Sequence, residues 1–87
     1  METTLPTHDA LVDWLTERIA AYLSTDPAAI ETDVAFGDYG LDSVFALNVY
    51  TDLEQEFGIL AQPTIAWDYP TIDAVARHLA EVARAAS

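Results

Sequence analysis

Ser43 stands in the run Gly40, Leu41, Asp42, Ser43, Val44, where a glycine-ended loop opens directly onto an amphipathic stretch that reaches Gly58. An unassisted serine hydroxyl is a poor nucleophile, and enzymes that attack with one set a general base beside it. The neighbouring residues offer no base. The G-x-S-x-G elbow of serine hydrolases is missing, and the two histidines, His8 and His78, fall in or beside other predicted helices. The chemistry such a serine suits is to be acted upon. A phosphodiester on its oxygen would sit at a helix N-terminus, where unpaired amides and the helix dipole favour negative charge. A phosphoserine switch uses the same physics but needs arginines to receive the new charge, and none is nearby in sequence. The plainest alternative is a helix cap, with Ser43 and Asp42 only accepting hydrogen bonds from first-turn amides.

The elements that must position this serine are legible from periodicity. Val12, Leu15, Ile19 and Leu23, widened by Leu11, repeat at spacings of three and four and predict a first helix that begins after Pro6 and Thr7. Ser24 to Pro27 ends it, and Pro27 to Ile30 reads as one helical turn opened by Asp26. From Glu31 to Asp42 no period holds, so this is a long loop, with Gly37 and Gly40 as tight turns and Val34, Phe36 and Leu41 as apolar pins. A second helix follows from Asp42 or Ser43 to Phe57, carrying Ala46, Leu47, Val49, Tyr50, Leu53 and Phe57, and Gly58 ends it. Pro63 to Tyr69 predicts one or two turns stopped by Pro70. Thr71 then caps a last helix whose apolar face is Ile72, Val75, Ala76, Leu79 and Val82. No alternating run predicts a strand. The expected fold is all-α: a small four-helix bundle with three longer helices, one short helix and a long loop between helices 1 and 2. Residues 1–87 form a single domain with a core over about 8–84 and tails at 1–7 and 85–87.

Size and charge narrow the function classes. Eighty-seven residues support one core and leave function to the surface. Without cysteine there is no disulfide framework and no thiolate metal site, and the acids lack metal-ligand spacing. Fifteen acidic residues face Arg18, Arg77, Arg84 and no lysine, a formal net charge of -12. Three scattered arginines cannot track a phosphate backbone, so nucleic acid is not expected as a partner, whereas basic protein surfaces are. No run approaches the roughly 18 apolar residues of a membrane span, and no secretory n-region opens the chain, so the cytoplasm is the default and no membrane partner is expected.

GLDSV before an amphipathic helix ending in EFGI, then PTIAWDYPT and an Ala-rich last helix, resembles an acyl carrier protein over about Leu11 to Val82. The tetrapeptide alone is weak. Its place after an F-x-x-x-G loop, about fifteen residues before Phe57 to Ile59 and about twenty-seven before Pro70 and Thr71, is specific in combination. The resemblance implies that Ser43 receives a covalent 4'-phosphopantetheine arm from coenzyme A through a separate, magnesium-using phosphopantetheinyl transferase. It implies that Asp42 belongs to the motif, and that acyl intermediates ride on the arm's thiol as thioesters. The chain itself would be a carrier and not an enzyme, with no metal of its own. The DS pair and WDYPT resemble polyketide and fatty acid carriers more than peptidyl carriers, which commonly have histidine before the serine. Partners implied are the transferase and ketosynthase, acyltransferase or acyl-activating enzymes with basic docking surfaces, met by a monomer. Met1 and a near-complete domain favour a free-standing carrier. The alternatives are a fatty acid or aminoacyl or peptidyl carrier, or an acidic helical interaction module in which Ser43 is only a cap.

Val44 and Phe45 precede the main apolar stripe of the second helix, so at least one is expected to face solvent as a docking anchor, with Asp52, Glu54 and Glu56 extending an acidic face. In relatives of this kind the short third helix borders an acyl channel, which makes Trp67 and Tyr69 candidates for its lining. Trp14, Trp67, Tyr22, Tyr39, Tyr50 and Tyr69 otherwise read as core or core-margin residues.

Overall fold

The computed structural model describes residues 6–41, 43–59 and 64–86, with Ser43 and Ala86 described by backbone alone. Thr7 begins the first element: its Oγ1 accepts the Ala10 amide at 3.2 Å and starts helix α1, His8–Leu23. Leu11, Leu15 and Ile19, each one helical repeat from the next, are fully or almost fully buried, and Ala20 joins them. Ser24 ends α1 in the left-handed region at φ 56. Asp26 Oδ1 then accepts the Ala28 amide and starts a 3-10 turn over Pro27–Ala29.

The connection that follows is more ordered than its aperiodic sequence predicts. A second 3-10 turn, Phe36–Tyr39, closes at Gly40, whose φ of 75 suits glycine. The Tyr39 hydroxyl accepts the Glu31 amide at 2.7 Å and donates to the Glu31 carbonyl at 3.0 Å, tying the two ends of the segment together. Three backbone contacts lay it along the start of the last helix and the residues before it. The Phe36 amide donates to the Pro70 carbonyl, the Asp73 amide donates to the Thr32 carbonyl, and Ala35 pairs with Thr71 in an isolated antiparallel bridge. Phe36 and Leu41 are buried as expected. Val34 is only half-buried, and Ile30 is the further buried residue of the connection.

Helix α2 runs Ser43–Phe57, α3 is the single turn Ile65–Asp68, and α4 runs Ile72–Ala86. Thr71 Oγ1 accepts the Ala74 amide at 3.1 Å, the expected cap. Gly58, at φ 66, ends α2 with its amide on the Glu54 carbonyl, and Ile59 folds into the core behind it. The segment 60–62 and Pro63 lie outside the described residues.

One apolar cluster joins all four helices and the connection, and α1 makes its broadest contact with α4. Burying each of its larger side chains is worth about 1.5–3 kcal/mol, so this cluster is the main source of stability in a chain without disulfides. Along the α1–α2 seam, Trp14 meets Phe57, Arg18 meets Asp52 and Tyr22 meets Phe45, so the two helices run antiparallel. The long connection permits more than one relative direction of α1 and α2, and these contacts decide it. The fold is helical as expected, with no strand beyond the isolated bridge among the described residues. No helix of the described residues is long and apolar enough to cross a membrane.

Candidate functional site

Leu41 is buried and Gly40 turns the backbone, so the chain enters α2 from a fixed point, and Ser43 is the helix's first residue. The amides of a first helical turn have no intrahelical partners and point outward. Asp42, expected to cap them, lies outside the described residues. At about 100° per residue, Val44, Leu47, Thr51 and Glu54 follow one another along one side of α2 in the turns that continue from Ser43. Val44 is 62% exposed, Leu47 is 55% exposed and Thr51 is exposed, so this face is open to solvent. An open face at a helix N-terminus fits an anionic phosphodiester and leaves room for an enzyme to approach it.

The two expected anchors separate. Phe45 is only 5% exposed and meets Tyr22 edge-on at 4.9 Å, in the core on the α1 side. An anchor needs accessible apolar surface, and Phe45 has almost none. A one-residue step along a helix turns a side chain by about 100°, enough to carry it from solvent to core. Leu47, expected in the core stripe, takes the exposed position instead. The spacing of three, four and three in Val44, Leu47, Thr51 and Glu54 is the signal that would have found this stripe.

The three docking acids do not form one face. Asp52 and Glu56, four residues apart, both turn toward α1, where Arg18 holds Asp52 at 2.8 Å and reaches Glu56 at 4.0 Å. Glu54 lies on the other side of the helix, with Val44 and Leu47. Charge alone cannot reveal this division, because it depends on where α1 lies. Arg18, one of three cations in the chain, was the overlooked partner.

Of the aromatics expected in the core or at its margin, Trp67, on α3, is 58% exposed and lies outside both, whereas Tyr22, 45% exposed, stands at the margin against Phe45. Tyr69 is half-buried and stacks on the His78 ring at 4.2 Å. His8 Nε2 lies 2.8 Å from Asp73 Oδ1 and links the starts of α1 and α4. Both histidines are thus engaged by residues other than Ser43.

Comparisons with known proteins identify the family of the chain. Residues 13–79 match the family model described as the phosphopantetheine attachment site. The polyketide synthase PksL of Bacillus subtilis is 37% identical over 79 residues, which cover 91% of this chain and 2% of the synthase. The chain therefore spans a small fraction of that relative. Among solved structures, a free-standing peptidyl carrier protein from Acinetobacter baumannii superposes with a TM-score of 0.82 at 36% identity, covering 87% of this chain and 95% of that one. The acyl carrier protein LipD from Actinoplanes friuliensis is 40% identical with a TM-score of 0.73, covering 98% of each chain. With a serine that begins α2 and a family match that runs from within α1 through α2 and α3 into α4, the chain belongs to the acyl carrier protein family, whose cofactor is phosphopantetheine.

Proposed function

We propose that this chain carries acyl intermediates of polyketide assembly on a 4'-phosphopantetheine arm esterified to Ser43, and presents them to partner enzymes in the cytoplasm. The observation that carries the reading is Ser43 at the first position of α2, at the end of the helix where Val44 and Leu47 are exposed. In loading, the Ser43 oxygen forms a bond to phosphorus, the pyrophosphate bond of coenzyme A breaks, and the adenosine bisphosphate half leaves. The serine proton passes to a base of the transferase, since α2 brings none to its own N-terminus among the described residues. When bound, the arm supplies the thiol that a chain without cysteine lacks, and holds acyl groups as thioesters.

The roles of this chain's residues are binding and orientation. The first-turn amides of α2 stabilise the phosphodiester charge. Val44 and Leu47 offer an apolar anchor point, and Glu54 on the same face meets a basic residue of the transferase, ketosynthase, acyltransferase or acyl-activating enzyme. Polyketide assembly is favoured by the likeness to PksL. A peptidyl carrier is the second reading, favoured by the likeness to the Acinetobacter baumannii carrier.

Intact mass after incubation with coenzyme A, magnesium and a broad-specificity phosphopantetheinyl transferase tests the proposal. Wild type should gain one phosphopantetheine and Ser43→Ala none. A wild type that gains no mass would leave an acidic helical module with Ser43 as a cap. Intact mass from the native host distinguishes an acyl cargo from an aminoacyl one.

A further inference from the structure

Three arginines serve a chain of net charge -12, and two of them line one groove. The groove, of about 340 Å³, lies between the residues that open α1 and one side of α4. Pro6 and Ala80 give it apolar walls, and His8, Arg77, Glu81 and Arg84 give it polar edges. Arg77, Glu81 and Arg84 are exposed, and their spacings of four and three set them on one face of α4 over two turns. Arg77 donates to Asp73 Oδ2 at 2.9 Å, and its guanidinium has further N–H donors. Asp73 is also held by His8 at 2.8 Å, so this acid beside the groove is already engaged. The groove is remote from the start of α2, because Tyr22, which meets Phe45 there, stands about 21 Å along α1 from His8.

We propose that this groove docks an acidic helical segment of a partner protein, with two carboxylates on Arg77 and Arg84 and a basic residue between them on Glu81. It requires no arm on Ser43. From Arg77 to Arg84 α4 rises about 10.5 Å, and a helix lying along it rises as far in the same number of residues. Acid, base and acid at i, i+4 and i+7 of the partner therefore face their opposites. Glu81 stands between the two cations, so it repels a single anion centred there, whereas two separated carboxylates avoid it. A helix two turns long and about 10 Å across has more than twice the volume of the groove. The groove thus admits only side chains that project from such a helix, and small apolar ones cover Pro6 and Ala80. A second copy of this chain does not supply the pattern. No segment of its sequence has acids at i and i+7 with an arginine at i+3 or i+4, and two α4 faces would set like charges together. At physiological ionic strength charges beyond about 8 Å are screened, so the groove's own residues, rather than the net charge, decide what docks.

The test titrates the whole ¹⁵N-labelled chain, without the arm and at about 0.15 M salt, with two alanine-rich helical peptides. One bears Glu-x-x-x-Lys-x-x-Glu and the other Lys-x-x-x-Glu-x-x-Lys. The first should move the amide signals of Arg77, Ala80 and Arg84 and bind about tenfold more tightly than the second, in line with charge pairs that form with one sign pattern only. Arg77→Gln combined with Arg84→Gln should weaken it about tenfold while the melting temperature stays within a few degrees, since both side chains are exposed. In Glu81→Lys the preference should pass to a peptide with Glu in place of the central Lys. Signals that move on dilution without peptide would give this face to a second copy and overturn the proposal. Equal shifts from acetate at matched carboxylate concentration would make it a site for single anions and overturn it too. So would equal binding of the two peptides, or shifts confined to α2. Because the unloaded chain is used, each of these outcomes is distinct from a failure of Ser43 to gain mass.

Discussion

Arg18 Nη1 and Asp52 Oδ2 meet at 2.8 Å across the α1–α2 seam, in a chain with only three arginines and fifteen acids. The same guanidinium lies 4.7 Å from the centre of the Trp14 ring. Both ends of the pair are partly exposed, so its charge energy is small, about 0.2–1 kcal/mol. The stem and ring contact add to it. Asp52→Asn should therefore lower unfolding free energy by about 0.5 kcal/mol, and Arg18→Ala by about 1–2 kcal/mol. Urea unfolding followed by tryptophan fluorescence reads both, and equal losses would show that the Trp14 contact adds nothing.

Asp52 spends its charge on Arg18, whereas Glu54 faces the exposed stripe, so the two acids should differ in docking. Glu54→Gln should raise the transferase KM about threefold at low salt, equivalent to roughly 0.7 kcal/mol, and Asp52→Asn should leave it near wild type. Salt of about 0.5 M should erase the difference between Glu54→Gln and wild type, because exposed charges are screened over a few ångströms there. Loading kinetics at two ionic strengths measure both effects, and a larger effect from Asp52→Asn would reverse the assignment.

Val44 and Phe45 are neighbours with opposite surroundings, and matched substitutions should separate them. Val44→Asp should keep the melting temperature within a few degrees, since exposed sites shift stability by about 0.5 kcal/mol, and should slow loading about tenfold. Phe45→Ala should cost about 3–5 kcal/mol, a large share of the stability of a domain this size. Thermal denaturation by circular dichroism decides between them, and an unfolded Val44→Asp would place that side chain in the core.

Tyr39 packs its ring against the core and ties the connection before α2 through its hydroxyl at Glu31. Tyr39→Phe keeps the ring and removes both hydrogen bonds, so it should cost about 1 kcal/mol. The loss should be local. Amide hydrogen exchange should quicken over residues 31–41 and stay unchanged at Leu15 and Leu79, whose helices do not depend on this contact. Uniform acceleration would show that the connection unfolds only with the whole domain.

The helices were legible in the residue order because their signals are local. Leu11, Leu15 and Ile19 repeat at the helical period, Thr7 and Thr71 cap, and Gly58 stops α2 through a conformation that glycine adopts freely. The start of α2 at Ser43 was legible for the same reason, since the glycine turn and the loop that lead into it lie within a few residues. The second 3-10 turn at Phe36–Tyr39 was not, because contacts from Glu31 and Pro70 support it and leave no period. Tertiary structure alone decided which side of α2 faces α1. That choice sent Phe45 inward and Leu47 outward, and paired Asp52 with Arg18 while leaving Glu54 on the open face. A helical stripe fixes which residues share a side, but a broad stripe such as that of α2 has two edges. Only the position of the neighbouring helix determines which edge is covered, and that position depends on contacts between residues far apart in the chain.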